Sequence, residues 1–227
     1  MRAGEIALTA EGTVFRLTAF GESAEVKMKL LGKFNIYNAL AAAAAALAEG
    51  ISLADAASAL SEASPVEGRM EMIEAGQPFL VIVDYAHTPD GLEKVLRTVR
   101  EFAEGNICCM FGCGGDRDRG KRPVMGKIAA ELSDHVIVTT DNPRNEDPAA
   151  IMNDIAEGIR QTGAGDEKLT LIEDRRAAIQ KAIEWANPGD VVLIMGKGHE
   201  TYQEMKGQRM FFDDRLEAKQ AIRSIMH

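Results

Sequence analysis

A chain of 227 residues is long enough to bury a substantial core and to form one large domain or two smaller ones. Its 46% hydrophobic and 27% charged residues are ordinary for a globular protein and exclude collagen-like, disordered and disulfide-scaffold classes. With 26 Lys plus Arg against 35 Asp plus Glu, the formal charge of -9 repels nucleic acid and anionic membrane surfaces, so an anionic ligand needs a local basic site.

The start Met1-Arg2-Ala3-Gly4-Glu5 lacks the basic and apolar regions of a signal peptide, and no run reaches the ~18 apolar residues of a membrane span; a cytoplasmic location is expected. Residues 5–31 carry short alternating runs, such as Val14-Phe15-Arg16-Leu17 and Val26-Lys27-Met28-Lys29-Leu30, broken at Gly12 and Gly21, which predict antiparallel hairpins. From Asn35 the pattern turns alanine-rich as far as Gly50, and Ser52 opens a stretch with Leu53, Ala56, Ala57 and Leu60 at helical spacing, so two packed helices are predicted. The alanine run 41–46 suits close helix packing. Ser64-Pro65-Val66-Glu67-Gly68 predicts a boundary near residue 65, dividing the chain into 1–65 and 66–227.

Beyond the boundary, apolar runs at 80–83, 107–111, 136–138, 169–172 and 191–194 alternate with helical patterns near 89–103, 122–132, 148–161 and 174–186. Continuous apolar strands alternating with amphipathic helices predict a mostly parallel sheet buried on both faces, the doubly wound Rossmann-like α/β class with right-handed crossovers. The three cysteines, Cys108, Cys109 and Cys113, are too close and too few for a disulfide framework, and a metal reading lacks a fourth ligand. They read as small buried residues on a strand and its turn, in a reducing compartment.

In such a sheet the ligand crevice lies outside the carboxyl ends of the strands. Four polar loops follow those ends: residues 84–90, 112–122, 140–144 and 196–200. Gly115-x4-Gly120-Lys121 misses the phosphate-cradling GxxxxGK[ST] pattern because Arg122 stands where Ser or Thr belongs, and Asp116 and Asp118 oppose a phosphate. Gly112-x-Gly114-x-x-Arg117 lacks the third glycine of a dinucleotide fingerprint. The loops offer paired charges instead: Arg117 and Arg144 can grip carboxylates, and Asp141 and Glu200 can receive ammonium protons, a set that suits a zwitterionic amino acid. Each charge alone reads as a solvated loop residue; their convergence carries the argument. His87 reads equally as a ligand contact or as a local cap of the next helix, His199 shares that ambiguity, and Lys197 reads as a phosphate contact or a solvated residue.

Six ordered segments, 32–38, 65–71, 84–90, 111–122, 141–144 and 196–200, together resemble the Mur ligases of peptidoglycan synthesis, above all the diaminopimelate-adding members, over nearly the whole chain. The resemblance implies that residues 1–65 are the end of a central ATP-binding domain, contributing β-strands and two helices, and that 66–227 are the Rossmann-like C-terminal domain that admits the amino acid. It places Asn38 near adenine, Arg69 near the phosphates and Asp84 near the ribose, with Asn35, His87 and Arg122 as further nucleotide contacts. It assigns Arg117, Asp141, Asn142, Arg144, Gly196 and Glu200 to the amino-acid site, and its Asp-Asn-Pro-Arg motif implies meso-diaminopimelate, whose second carboxylate calls for an arginine. The implied reaction uses ATP and Mg2+ to turn the glutamate carboxylate of UDP-N-acetylmuramoyl-L-Ala-D-Glu into an acyl phosphate, which the diaminopimelate amine attacks. No GxxxxGK[ST] occurs in the 227 residues, and the family's carbamylated lysine and magnesium-binding residues fall upstream of Met1 in its pattern. The chain is therefore expected to hold no catalytic residue or metal ligand of its own and to need N-terminal and central segments for activity. The alternatives are a non-catalytic amino-acid-binding or interaction module, or a member that adds a different amino acid.

Overall fold

The computed structural model describes residues 1–9 and 11–226. The chain divides into two compact units, Met1–Val66 and Glu67–His227. In the first, strands β1 (Arg2–Thr9), β2 (Gly12–Ala19) and β3 (Glu22–Met28) form an antiparallel sheet in chain order, followed by helices α1 (Lys33–Ala48) and α2 (Leu53–Glu62). Phe15, Leu17, Val26 and Met28 pack with Ile36, Ala39 and Ala43 of α1 and Leu53 and Ala57 of α2. Ser52 starts α2 by accepting the Asp55 N–H at 3.1 Å. Of the alanine run 41–46 only Ala43 is buried, so composition there serves helix formation more than packing.

The second unit carries β4 (Glu71–Met72), β5 (Leu80–Asp84), α3 (Pro89–Arg100), β6 (Ile107–Phe111), α4 (Lys121–Leu132), β7 (His135–Val138), α5 (Pro148–Arg160), β8 (Leu169–Leu171), α6 (Arg175–Trp185), β9 (Val191–Met195), β10 (Tyr202–Met205), β11 (Gln208–Phe211) and α7 (Asp214–Ile225). Its six-stranded sheet has the order β4-β5-β9-β6-β7-β8, parallel except for β4 at the edge. One face packs on α6 and α7 through Val81, Val83, Met110, Val192 and Ile194. Helices α3, α4 and α5 pack side by side as a separate layer. The sheet is thus the doubly wound, mostly parallel Rossmann-like arrangement expected. Sequence periodicity did not predict β4, the hairpin β10–β11 or α7. Among the described residues no helix is long and apolar enough to cross a membrane.

Topology brings the chemistry together. β9 returns between β5 and β6, so β5, β9, β6 and β7 are consecutive parallel neighbours, and the four polar loops leave adjacent carboxyl ends on one rim.

Candidate functional site

A cavity of about 770 Å3 opens at that rim, within the range of small-molecule pockets. Its wall includes Arg117, Asp141, Asn142, Arg144, Gly196 and Glu200 from three of the loops and His87 from the fourth, together with Tyr85, Lys121 and Tyr202.

The acidic end is organised by a residue whose surroundings the sequence left open. Lys197 is not solvated: it is wholly buried, with Nζ 3.3 Å from Asp141 Oδ1, 3.0 Å from Asn142 Oδ1 and 3.6 Å from Glu200 Oε2. A single buried ammonium thereby stabilises two carboxylates side by side. Asn142 donates Nδ2 to Glu200 Oε2 at 3.0 Å and accepts on Oδ1 from Lys197 and from the Glu204 N–H at 2.9 Å. Its amide thus ties Glu200 to Lys197 and the hairpin while the residue lines the cavity. Gly196, at φ +112°, lies so near Asp141 that a β-carbon there would sit 3.2 Å from Oδ2. The glycine keeps that oxygen open to an ammonium.

The basic end is looser. Arg144 Nη1 donates to the Gly115 carbonyl at 2.8 Å, and Arg117 Nη1 to the Asp116 carbonyl at 3.1 Å. The remaining guanidinium nitrogens of both have no hydrogen-bond partner among the described residues and can receive a carboxylate. Gly114 is required for this placement, since a β-carbon there would meet Arg144 Nη1 at 2.9 Å.

Tyr85 forms one wall, its hydroxyl 3.5 Å from Glu200 Oε1 and its ring 4.8 Å from His87 and 5.2 Å from His199. Burial and then the Glu200 charge push its phenol above the ordinary value. His87 does not cap α3; Thr88 does, accepting the Gly91 N–H at 3.2 Å, while His87 Nδ1 lies 2.9 Å from the Tyr85 carbonyl. Tyr85 stood inside a loop already read as functional. Tyr202 had a fainter signal, its position two residues after the segment 196–200.

Of the residues of the second unit read as nucleotide contacts, His87 lines this cavity, whereas Asp84, Arg69 and Arg122 are not part of its wall. Asp84 ends β5 with Oδ2 accepting the Met70 N–H at 2.8 Å and Oδ1 the Ala86 N–H at 2.7 Å; burial pushes its carboxyl up against those two bonds. Arg69 lies over the Tyr85 ring at 4.9 Å. Arg122 is buried beneath the 112–122 loop, bonded to Glu146 at 2.8 Å and Asp154 at 2.9 Å, so its guanidinium braces the loop instead of facing the rim. In the first unit Asn35 Nδ2 donates to the Leu31 carbonyl and Asn38 Nδ2 to Asn35 Oδ1, a ladder at the start of α1. Among the described residues no group of three or more His, Cys, Asp or Glu side chains is arranged to hold a metal ion.

Comparison with known proteins gives two family matches: "Mur ligase, glutamate ligase domain" over residues 68–198 and "Mur ligase middle domain" over residues 1–46. The UDP-N-acetylmuramoyl-L-alanyl-D-glutamate–2,6-diaminopimelate ligase of Halalkalibacterium halodurans is 50% identical over 222 residues, 98% of this chain and 45% of that protein. The ligase of the same name from Syntrophomonas wolfei is 51% identical with the same coverage, 98% and 45%. A solved structure of a protein of that name superposes with a TM-score of 0.75 at 40% identity, covering 99% of this chain and 45% of the other. UDP-N-acetylmuramate–alanine ligase from Thermotoga maritima, at 22% identity, has a TM-score of 0.68 over 99% of this chain and 45% of its own and shares the fold. The chain thus spans about half the length of the relatives it matches.

Proposed function

The chain belongs to the Mur ligase family, and from that premise we propose that it forms the amino-acid-binding part of an ATP-dependent ligase that joins meso-diaminopimelate to UDP-N-acetylmuramoyl-L-Ala-D-Glu. Residues 67–227 bind the incoming amino acid, and residues 1–66 are the end of the ATP-binding domain, a reading supported by the family match over 1–46. The carrying observation is the single cavity whose wall holds both the arginines Arg117 and Arg144 and the carboxylates Asp141 and Glu200.

The chemistry of such a cavity orients its guest. Diaminopimelate has two amines, and only an unprotonated amine has the lone pair to attack an acyl phosphate. The amine gripped by Asp141 and Glu200 is held as ammonium, so the nucleophile is the other one, presented away from the acidic end. As its nitrogen bonds to the acyl carbon, phosphate departs with the C–O bonding pair and the nitrogen sheds a proton. ATP, when bound with Mg2+, would donate the γ-phosphoryl group that activates the glutamate carboxylate, with ADP as the leaving group; the residues described here hold and aim the amine.

Arg144 distinguishes two carboxylates from one. Lysine has the same chain with a single carboxylate and leaves that guanidinium unmatched. Isothermal titration of the 227-residue chain is expected to show tighter binding of meso-diaminopimelate than of L-lysine, with Arg144→Ala weakening the former by about 10- to 100-fold, the worth of a charge-assisted bidentate contact. Equal affinity for both amino acids in the wild-type chain would overturn the assignment.

A further inference from the structure

We propose that the hairpin β10–β11 is the strap that sets amino-acid discrimination, with Gln203 as a positioning residue for the Arg144 loop; the inference rests on the reading of the cavity as a diaminopimelate site. Arg144 has φ of +50°, a conformation that non-glycine residues hold only where their surroundings impose it. The hairpin imposes it. The Arg144 N–H donates to the Glu204 carbonyl at 3.1 Å, and the Arg144 carbonyl accepts the Lys206 N–H at 2.7 Å, so both peptide groups flanking the strained Cα are pinned by residues some sixty positions later in the chain. The Glu204 N–H reaches Asn142 Oδ1 at 2.9 Å, and Gln203 Nε2 donates to the Asp141 carbonyl at 2.9 Å. Residues 203–206 therefore grip the segment 141–144 through four hydrogen bonds, and Gln203 is the hairpin's own side chain among them.

Strand alternation separates the strap from the ligand. Tyr202 faces the amino-acid cavity, whereas Gln203 and Met205 line a second cavity of about 460 Å3 on the other side of the hairpin, so Gln203 supports the loop from outside. The turn is built for one register: Met205 pairs with Gln208 around Lys206 and Gly207, at φ +49° and +75°, the two positive values of a tight two-residue hairpin turn. The acidic end is anchored separately by Lys197. Although the hairpin also touches Asp141 and Asn142, these keep their bonds to Lys197 when it loosens, so loosening the strap should cost recognition of the second carboxylate more than recognition of the ammonium.

Two variants of the full 227-residue chain test this: Gln203→Leu, which deletes the donor at similar size, and Lys206→Val, which places a β-branched side chain at an exposed positive-φ turn position away from the amino-acid cavity. Titration with meso-diaminopimelate and with L-lysine is paired with amide hydrogen exchange over residues 141–146. Each variant is expected to bind meso-diaminopimelate about tenfold more weakly, as for loss of one buried hydrogen bond, with lysine affinity reduced several-fold less and faster exchange at the Arg144 amide. A wild-type chain that discriminates, with variants that keep the same ratio and the same Arg144 exchange, overturns the strap. If the wild-type chain binds neither amino acid, the functional reading falls and the discrimination role falls with it; faster exchange in the variants then upholds only the bracing of Arg144 by the hairpin, and unchanged exchange refutes that as well.

Discussion

Lys197 exposes no surface, although a lysine between two glycines ordinarily reads as solvated. Its burial is tolerated because three oxygens, from Asp141, Asn142 and Glu200, surround Nζ. Replacing it by methionine keeps the volume and removes the charge, leaving two carboxylates facing one another without a cation. Breaking a buried pair in this way costs about 3–5 kcal/mol, so Lys197→Met should lower Tm by roughly 10 °C and abolish meso-diaminopimelate binding; an unchanged melting curve would refute that role. Glu146 shows the same logic at a more open position. The Arg122 guanidinium, with the Asp116 N–H, holds its carboxyl down at about 2 from an ordinary 4.5. Because the folded value is depressed, the stabilisation is present in full above about 4.5 and is lost as pH falls towards 2. Melting curves of the wild-type chain and Glu146→Gln should differ by a constant amount above pH 5 and converge between those two values.

Helix α7 docks by charge as much as by apolar area, which is why it was not legible in the sequence. Its buried face comprises Asp214, Ala218, Ala221 and Ile222, a thin hydrophobic signal. Asp214 is buried because Arg175, at the start of α6, reaches it with Nε at 2.8 Å and Nη2 at 2.7 Å, while also donating to the carbonyls of Thr140 and Met195 at the ends of β7 and β9. No local pattern encodes a partner 39 residues away. The hairpin was missed for a different reason: Lys206-Gly207 between two four-residue strands is a turn signature, but Tyr202–Met205 and Gln208–Phe211 have no buried face to give alternation. The parallel strands β5, β6, β7 and β9 and the helices between them were legible because apolar runs buried on both faces cannot be mistaken for surface segments, and the edge strand β8 only by its short apolar run. The rim loops followed from the same rule, whereas the hydrogen bonding of Asn142, Arg122 and Lys197 depended on neighbours supplied by other loops. Arg175→Met should destabilise by about 3–5 kcal/mol, since it strands a buried aspartate. The double replacement Arg175→Met with Asp214→Leu should recover most of that loss in urea unfolding; no recovery would mean that the carbonyl contacts of Arg175, not the pair, hold the layer.

At the scale of the whole molecule, everything needed for the proposed amino-acid site lies within Glu67–His227: the sheet that sets the rim, the four loops, Lys197, and the hairpin that braces Arg144. That unit has its own core between the sheet and α6 and α7, and about 160 residues is an ordinary size for an independent domain. Residues 67–227 expressed alone should therefore fold cooperatively and bind meso-diaminopimelate as tightly as the longer chain does. The cysteines provide the check on folding. Cys108, Cys109 and Cys113 all belong to this unit and are 0–2% exposed, and burial pushes the Cys109 and Cys113 thiols up to about 12. As protonated, inaccessible thiols they should resist a disulfide-exchange reagent in the native state and all react in denaturant. If the shorter chain is folded, its three thiols will be as slow as those of the whole; rapid labelling of all three in buffer would show that the unit depends on residues 1–66 for its core. Slow thiols with weakened binding would place part of the amino-acid affinity outside 67–227.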